Sequence, residues 1–174
     1  MFDLLIKNGT VIDGSGSSGL QADVGVTGGK IAEIGNLEAS ESKNVVDAEG
    51  MIVCPGFVDP HTHYDAQLFW DPFASPSNLH GITSVVMGNC GFSLAPIGDK
   101  SDAEYLGAML VQVEGMSAEA LSLGVSWNWN SFGEYLEQLD NKIGVNVAAM
   151  VGHCALRRTV MKEESVKREA TAQE

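Results

Sequence analysis

Near residue 52 the chain changes rhythm, and that change restricts its fold more than any other feature. Before it, short β-type runs are separated by turn residues. Runs 4–7 and 10–12 flank Asn8-Gly9, runs 22–26 and 30–34 flank Thr27-Gly28-Gly29, and runs 44–46 and 51–53 flank Glu49-Gly50. Asn-Gly and Gly-Gly pairs accept positive φ at both central positions of a tight turn, so these flanks predict antiparallel hairpins. After residue 52, strand patterns alternate with helical ones. Strands are expected over 52–58, 83–87 and 145–151. Helices are expected over 76–81, stopped by Gly81, and over 102–110, 117–123 and 131–142, the last stopped by Gly144. The tail from Met161 reads as a helix with Glu163–Lys167 and Glu164–Arg168 pairs. Alternation of this kind builds a parallel sheet through crossover helices. The expectation is an α/β chain: a small β-domain over 1–52, then strand–helix units over 53–174.

The strand 52–58 enters through Pro55-Gly56 and leaves through Asp59-Pro60-His61-Thr62-His63-Tyr64-Asp65. Histidines two apart on a strand share a face, so His61 and His63 can aim both imidazoles at one metal ion. Asp59-Pro60 bends the backbone where such ligands must turn inward. In strand–helix barrels the functional side chains gather at the C-terminal strand ends, where both histidines fall. Neutral imidazole suits Zn²⁺. Cys90 lies just past strand 83–87, in Gly88-Asn-Cys-Gly. Its thiolate would be a good zinc ligand and the flanking glycines permit close backbone approach. Taken alone, the residue divides evenly between ligand and inert core thiol. His153 follows strand 145–151 and faces the same mouth.

Residues 55–67, Pro-Gly-Phe-Val-Asp-Pro-His-Thr-His-Tyr-Asp-Ala-Gln, resemble the first barrel strand of the amidohydrolase superfamily. Gly88-Asn-Cys-Gly-Phe-Ser-Leu-Ala-Pro96 narrows the resemblance to the N-acyl-D-amino-acid deacylase (D-aminoacylase) group, which uses a cysteine where most amidohydrolases use a carboxylated lysine. The resemblance covers essentially the whole chain. It implies the first part of a metal-dependent (β/α)₈ TIM barrel behind the small β-domain, with one or two Zn²⁺ ions held by His61, His63 and Cys90. It implies hydrolysis of the non-peptide C–N amide bond of an N-acyl-D-amino acid, or a related acylated small molecule, by zinc-activated water. It puts His153 on the wall of the substrate pocket. Amidohydrolases acting on cyclic amides keep the same first strand and are the near alternative; Cys90 argues against them.

A complete barrel of this kind needs roughly 250 residues, and the reading finds three of its strands here. The expectation is therefore an N-terminal fragment that is inactive alone, with the general base and remaining ligands beyond residue 174. Tyr64 and Asp65 either orient a ligand and border the substrate pocket or are turn residues, and Asp59 is an equal candidate orienter. Arg157 and Arg158 fit the solvated start of a loop better than a substrate-carboxylate clamp. Cys54 and Cys154 read as core thiols, His80 as a surface or cap residue, and Trp127 and Trp129 as packing for the helices between the second and third strands. The Gly/Ser stretch 14–19 reads as a flexible loop.

Charge and composition exclude other classes. Ten basic against twenty-three acidic residues give a net charge of −13, which argues against nucleic acid and anionic membrane partners. There is no apolar run near the eighteen residues a membrane helix needs. Met1-Phe-Asp has an acid where a signal peptide wants basic residues. Three cysteines without a framework spacing suggest a reducing compartment, so the expected location is the cytoplasm.

Overall fold

In the computed structural model, which describes residues 1–37 and 41–174, β1 (Leu4–Val11) runs straight through the Asn8-Gly9 pair that predicts a hairpin. Asn8 takes a φ of 65° inside the strand, and the register against β2 (Leu20–Thr27) shifts between Ile6 and Gly9. The pair is a β-bulge, not a turn. What holds it lies far along the chain: Asn8 N–H donates to Asp23 Oδ1 at 2.9 Å and its side-chain amide to Asp47 Oδ1 at 2.9 Å. The next predicted hairpin does form. Gly28 and Gly29, at φ 59° and 73°, join β2 to the antiparallel β3 (Lys30–Gly35). The third does not. β4 (Val45–Asp47) and β5 (Ile52–Val53) lie one after the other, parallel, along β1. Both find backbone partners on the free edge of a long strand, which a two-stranded hairpin would have left bare.

The predicted strand 52–58 is therefore split. Ile52–Val53 completes the first sheet, and β6 (Phe57–Asp59) begins the second. Pro55, which has no N–H for a ladder, stands between them, and the chain divides there into the units Met1–Pro55 and Gly56–Glu174. Cys54 is exposed, not a core thiol.

In the second unit β6, β7 (Ile82–Met87) and β8 (Asn146–Ala149) are parallel and adjacent in that order, as the alternation predicts. Central β7 buries Val85 and Met87. Phe57 and Val58 on edge strand β6 are 60% and 63% exposed. Between β7 and β8 run α1 (Lys100–Glu114), α2 (Ala118–Gly124) and α3 (Phe132–Leu139). Asp99 caps α1 by accepting from Ser101 and Asp102 N–H, and Ser131 with Glu134 forms a capping box on α3. Leu106 and Leu110 of α1, Leu121 of α2, and Tyr135 and Leu139 of α3 close over Met87 and Trp129. Each fully buried leucine contributes about 1.5–3 kcal/mol. Trp129 donates Nε1–H to Leu94 O at 2.8 Å and stacks on Phe69 at 5.3 Å, a packing role as expected.

The segment read as a loop after His153 is a helix, α4 (His153–Met161), and the tail beyond it is a single 3-10 turn over Lys162–Val166. Arg158 is buried on α4, with Nε 2.9 Å from Asp102 Oδ1, Nη2 2.8 Å from Glu163 Oε1 and its guanidinium 5.0 Å above the Tyr105 ring. Lys162 reaches the other oxygen of Asp102 at 2.6 Å. Arg157 donates to the carbonyl of Ser165. Neither arginine is a solvated loop residue, and neither is free for a substrate carboxylate. Glu163 is drawn to Arg158 and so misses the predicted Lys167 partner, whereas Glu164–Arg168 forms at 3.8 Å. Among the described residues no helix is long and apolar enough to cross a membrane.

Candidate metal centre

The donors meet just beyond the strand ends. Neither histidine lies on a strand: β6 stops at Asp59, and His61 and His63 sit in the irregular segment after it. Period-two alternation is thus not what brings them together. The segment is anchored at its middle, where Thr62 N–H and Oγ1–H both donate to Val86 O, at 2.9 and 2.8 Å. Asp59 Oδ1 accepts from His61 N–H at 3.1 Å, so Asp59 shapes the loop backbone and does not touch an imidazole through that bond.

Cys90 occupies a 3-10 turn, Asn89–Gly91, directly after β7. Its φ of 58° is left-handed, a conformation that costs a non-glycine residue about 1–3 kcal/mol and that persists where surrounding contacts impose it. Those contacts are visible. Asn89 Nδ2 donates to Thr62 O at 3.2 Å and to Val86 O at 2.9 Å, and Gly88 N–H donates to Asp65 Oδ2 at 3.0 Å. Gly88, at φ 78°, presses so closely on β8's exit that a Cβ there would lie 2.1 Å from Met150 O. The two ligand-bearing loops are therefore laced to each other by backbone and amide hydrogen bonds.

The result is one cluster. A ligand atom from each of His61, His63 and Cys90 lies within 4.8 Å of the other two. His61 Nε2 is 3.2 Å from Cys90 Sγ, and the two imidazole rings meet edge to face at 5.4 Å. A tetrahedral Zn²⁺ with its usual bond lengths spaces its ligand atoms about 3.3–3.7 Å apart, so small side-chain rotations suffice to bind one. His63 Nδ1 is buried without a hydrogen bond. Glu114 Oε1 approaches it to 3.4 Å. Two imidazoles and a thiol are a donor set that suits zinc.

The remaining predicted residues separate. Tyr64 lines a cavity of about 440 Å³ together with His61, His63, Gln67, Ser77 and Glu114, and its hydroxyl meets Ser77 Oγ at 2.7 Å. Asp65 does not border that cavity. Its carboxyl turns inward to Gly88, and burial pushes it up to about 7 against the pull of the Gly88 N–H, with the charge of Glu114 adding to the rise. Tyr135 O–H donates to the Asp65 carbonyl at 2.9 Å, and burial raises that phenol well above its ordinary range. His153 is the exposed first residue of α4, and its Cβ faces Gly91, next to Cys90. His80 is exposed in its 3-10 turn. Sequence reasoning missed Thr62, Asn89 and Glu114. The first two sit inside the quoted motifs and could have been noticed as amide and hydroxyl neighbours of ligands. Glu114 carries no local signal at all.

Comparison with known proteins gives the family. The profile described as the amidohydrolase family matches residues 44–174. D-aminoacylase of Alcaligenes xylosoxydans xylosoxydans is 40% identical over 174 residues, 99% of this chain and 33% of that protein. N-acyl-D-glutamate deacylase of the same organism is 39% identical, over 98% of this chain and 33% of that protein. A solved D-aminoacylase structure, described by its binuclear metal centre, aligns with TM-score 0.80 and 41% identity over 99% of this chain and 34% of its own. N-acyl-D-glutamate deacylase of Bordetella bronchiseptica, solved with zinc and a phosphonate inhibitor, aligns with TM-score 0.74 and 36% identity over 99% of this chain and 33% of its own. The chain spans about a third of the length of the curated relatives it matches.

Proposed function

This chain belongs to the amidohydrolase family, and from that premise we propose that His61, His63 and Cys90 would hold one or two zinc ions in an enzyme that hydrolyses the C–N amide of N-acyl-D-amino acids. The observation that carries the reading is the convergence of two imidazoles and a thiol within 4.8 Å at neighbouring strand ends. Bound there, zinc would supply a Lewis acid that polarises an amide carbonyl and lowers the pKa of water. The chain's own residues do the rest of what this region can do. Cys90 must lose its proton to ligate, and the neighbouring imidazoles must stay neutral. Tyr64 and Ser77 present hydroxyls to the cavity beside the histidines, where an acyl oxygen or amide N–H could be held. Asp65, Asn89 and Thr62 keep the two ligand loops at fixed separation.

Turnover is assigned to a protein of the relatives' length, with the general base on a part that these 174 residues do not span. The substrate is a small acylated molecule, which agrees with relatives named for D-aminoacyl and N-acyl-D-glutamate substrates. A cytoplasmic location is part of the proposal, resting on three cysteines without a framework spacing. Amino acid release from N-acetyl-D-amino acids, with zinc counted by elemental analysis, tests the proposal on both lengths of chain. The long protein should be active and the 174-residue chain inactive yet able to bind zinc. Cys90→Ala should abolish activity in the long protein and lower its zinc content. A fully active Cys90→Ala enzyme would overturn the ligand assignment, and an active short chain would overturn the placement of the base.

A further inference from the structure

We propose that Glu114 is a positioning residue of the metal centre, holding His63 with its proton on Nδ1 so that Nε2 is the atom offered to the ion; this rests on the metal-site reading above. Glu114 is the last residue of α1, before Gly115. An acid there faces the negative end of the helix dipole, which costs about 0.3–1 kcal/mol at the surface, and no basic residue occupies the last turn to offset it. Helix stability therefore does not account for this glutamate. Its side chain is 18% exposed, and among the described residues its ion partner is His63.

Two rings flank the imidazole. The His61 ring lies 5.4 Å away and the Phe92 ring 6.4 Å away, centroid to centroid. Nδ1 is buried and makes no hydrogen bond, with Glu114 Oε1 3.4 Å distant. An ionised carboxylate only accepts. A lone pair on Nδ1 would face the lone pairs of Glu114, whereas a proton there gives a charge-assisted hydrogen bond. The neutral ring carries one proton, so fixing it on Nδ1 leaves the Nε2 lone pair free for a metal. At 3.4 Å the hydrogen bond is not made. Glu114 lines the cavity beside His63, so its side chain has room to close the gap.

The 174-residue chain and its variants can be titrated with Co²⁺, following the thiolate-to-cobalt charge-transfer band and the d–d bands. Long-range ¹H–¹⁵N spectra of the metal-free chain report the His63 tautomer. Glu114→Ala should weaken Co²⁺ binding roughly 10–100-fold with the Cys90 charge-transfer band retained at saturation. It should also remove the Nδ1–H signature of His63. Glu114→Gln should restore most of the affinity and the signature, because its amide oxygen accepts the same N–H. Unchanged affinity and tautomer in Glu114→Ala would overturn the proposal. So would a Glu114→Gln variant as weak as Glu114→Ala with altered d–d bands, which would make Glu114 a ligand itself. His63→Ala and Cys90→Ala separate the two claims. If both leave Co²⁺ binding intact, the metal-site reading fails; if both weaken it while Glu114→Ala does not, only the role of Glu114 fails.

Discussion

The N-terminal sheet and the parallel sheet each bury an aspartate that accepts backbone N–H groups, yet the two carboxyls shift in opposite directions. Asp23, 7% exposed, receives Asn8 N–H on one oxygen and Leu37 N–H on the other, both at 2.9 Å. The Asn8 bond, helped by that from Leu37, holds it below the ordinary carboxylate range despite burial. Asp65, 3% exposed, receives Gly88 N–H at 3.0 Å, helped by its own backbone N–H, yet burial wins and lifts it to about 7. Each donor stabilises the ionised form, and desolvation opposes it. The donors outweigh desolvation at Asp23, and desolvation outweighs them at the more deeply buried Asp65. The first aspartate acts as an ionised staple for a bulge; the second, with its pKa raised to about 7, clasps two ligand loops.

The turns attached to these clasps differ as well, and Gly88→Ala should show it most strongly. Its Cβ would strike Met150 O at 2.1 Å in a left-handed residue, so a loss of about 2–5 kcal/mol is expected in the second unit. All three tryptophans lie beyond residue 55, so tryptophan fluorescence in urea reads that unit selectively. An unchanged midpoint would mean that the Gly88 turn relaxes freely and that the ligand loops are not laced as described.

Asparagine sharpens the contrast between the two aspartates. Asp23→Asn supplies one acceptor for two N–H groups and should cost about 1–3 kcal/mol, read as faster hydrogen exchange of the Asn8 or Leu37 amide. Asp65→Asn keeps an acceptor for the Gly88 N–H and should leave the tryptophan transition within about 0.5 kcal/mol of the parent. Equal costs at both sites would break the contrast between an ionised carboxylate and one that desolvation has raised. A smaller effect is due at Gly28, where φ is 59° and nothing lies within 4 Å of a Cβ. Gly28→Ala should cost about 1–2 kcal/mol from backbone strain alone, measured by exchange of the β2–β3 amides.

The smallest effect is the acid slope of the first sheet. Because the folded pKa of Asp23 lies below its unfolded value, its contribution is present above about pH 4 and is lost as pH falls through that range. Exchange protection of the Asn8 amide should drop on acidification in the parent and lose part of that drop in Asp23→Asn. Identical acid profiles would show that Asp23 does not carry the dependence.

Much of this was legible from short-range pattern. Strand–helix alternation foretold the parallel order β6-β7-β8 and Gly28-Gly29 foretold its hairpin, whereas Cys90, evenly split on its own residues, was joined to His61 and His63 through the family resemblance. Asn8-Gly9 misled, because the same positive φ serves a turn or a bulge, and the choice belongs to Asp23 and Asp47, which lie far along the chain. Arg158 misled for a similar reason: a guanidinium looks solvated until Asp102 arrives from another helix.

The sequence by itself determined which backbone conformations were cheap and which side chains could bind a metal, since both are properties of single residues and near neighbours. Only the tertiary structure decided that β4 and β5 pair with β1 and not with each other, that Cys90 adopts a left-handed φ, and that Glu114 stands beside His63. Those outcomes follow from which distant donor meets which acceptor once water is excluded, and no local periodicity encodes that choice.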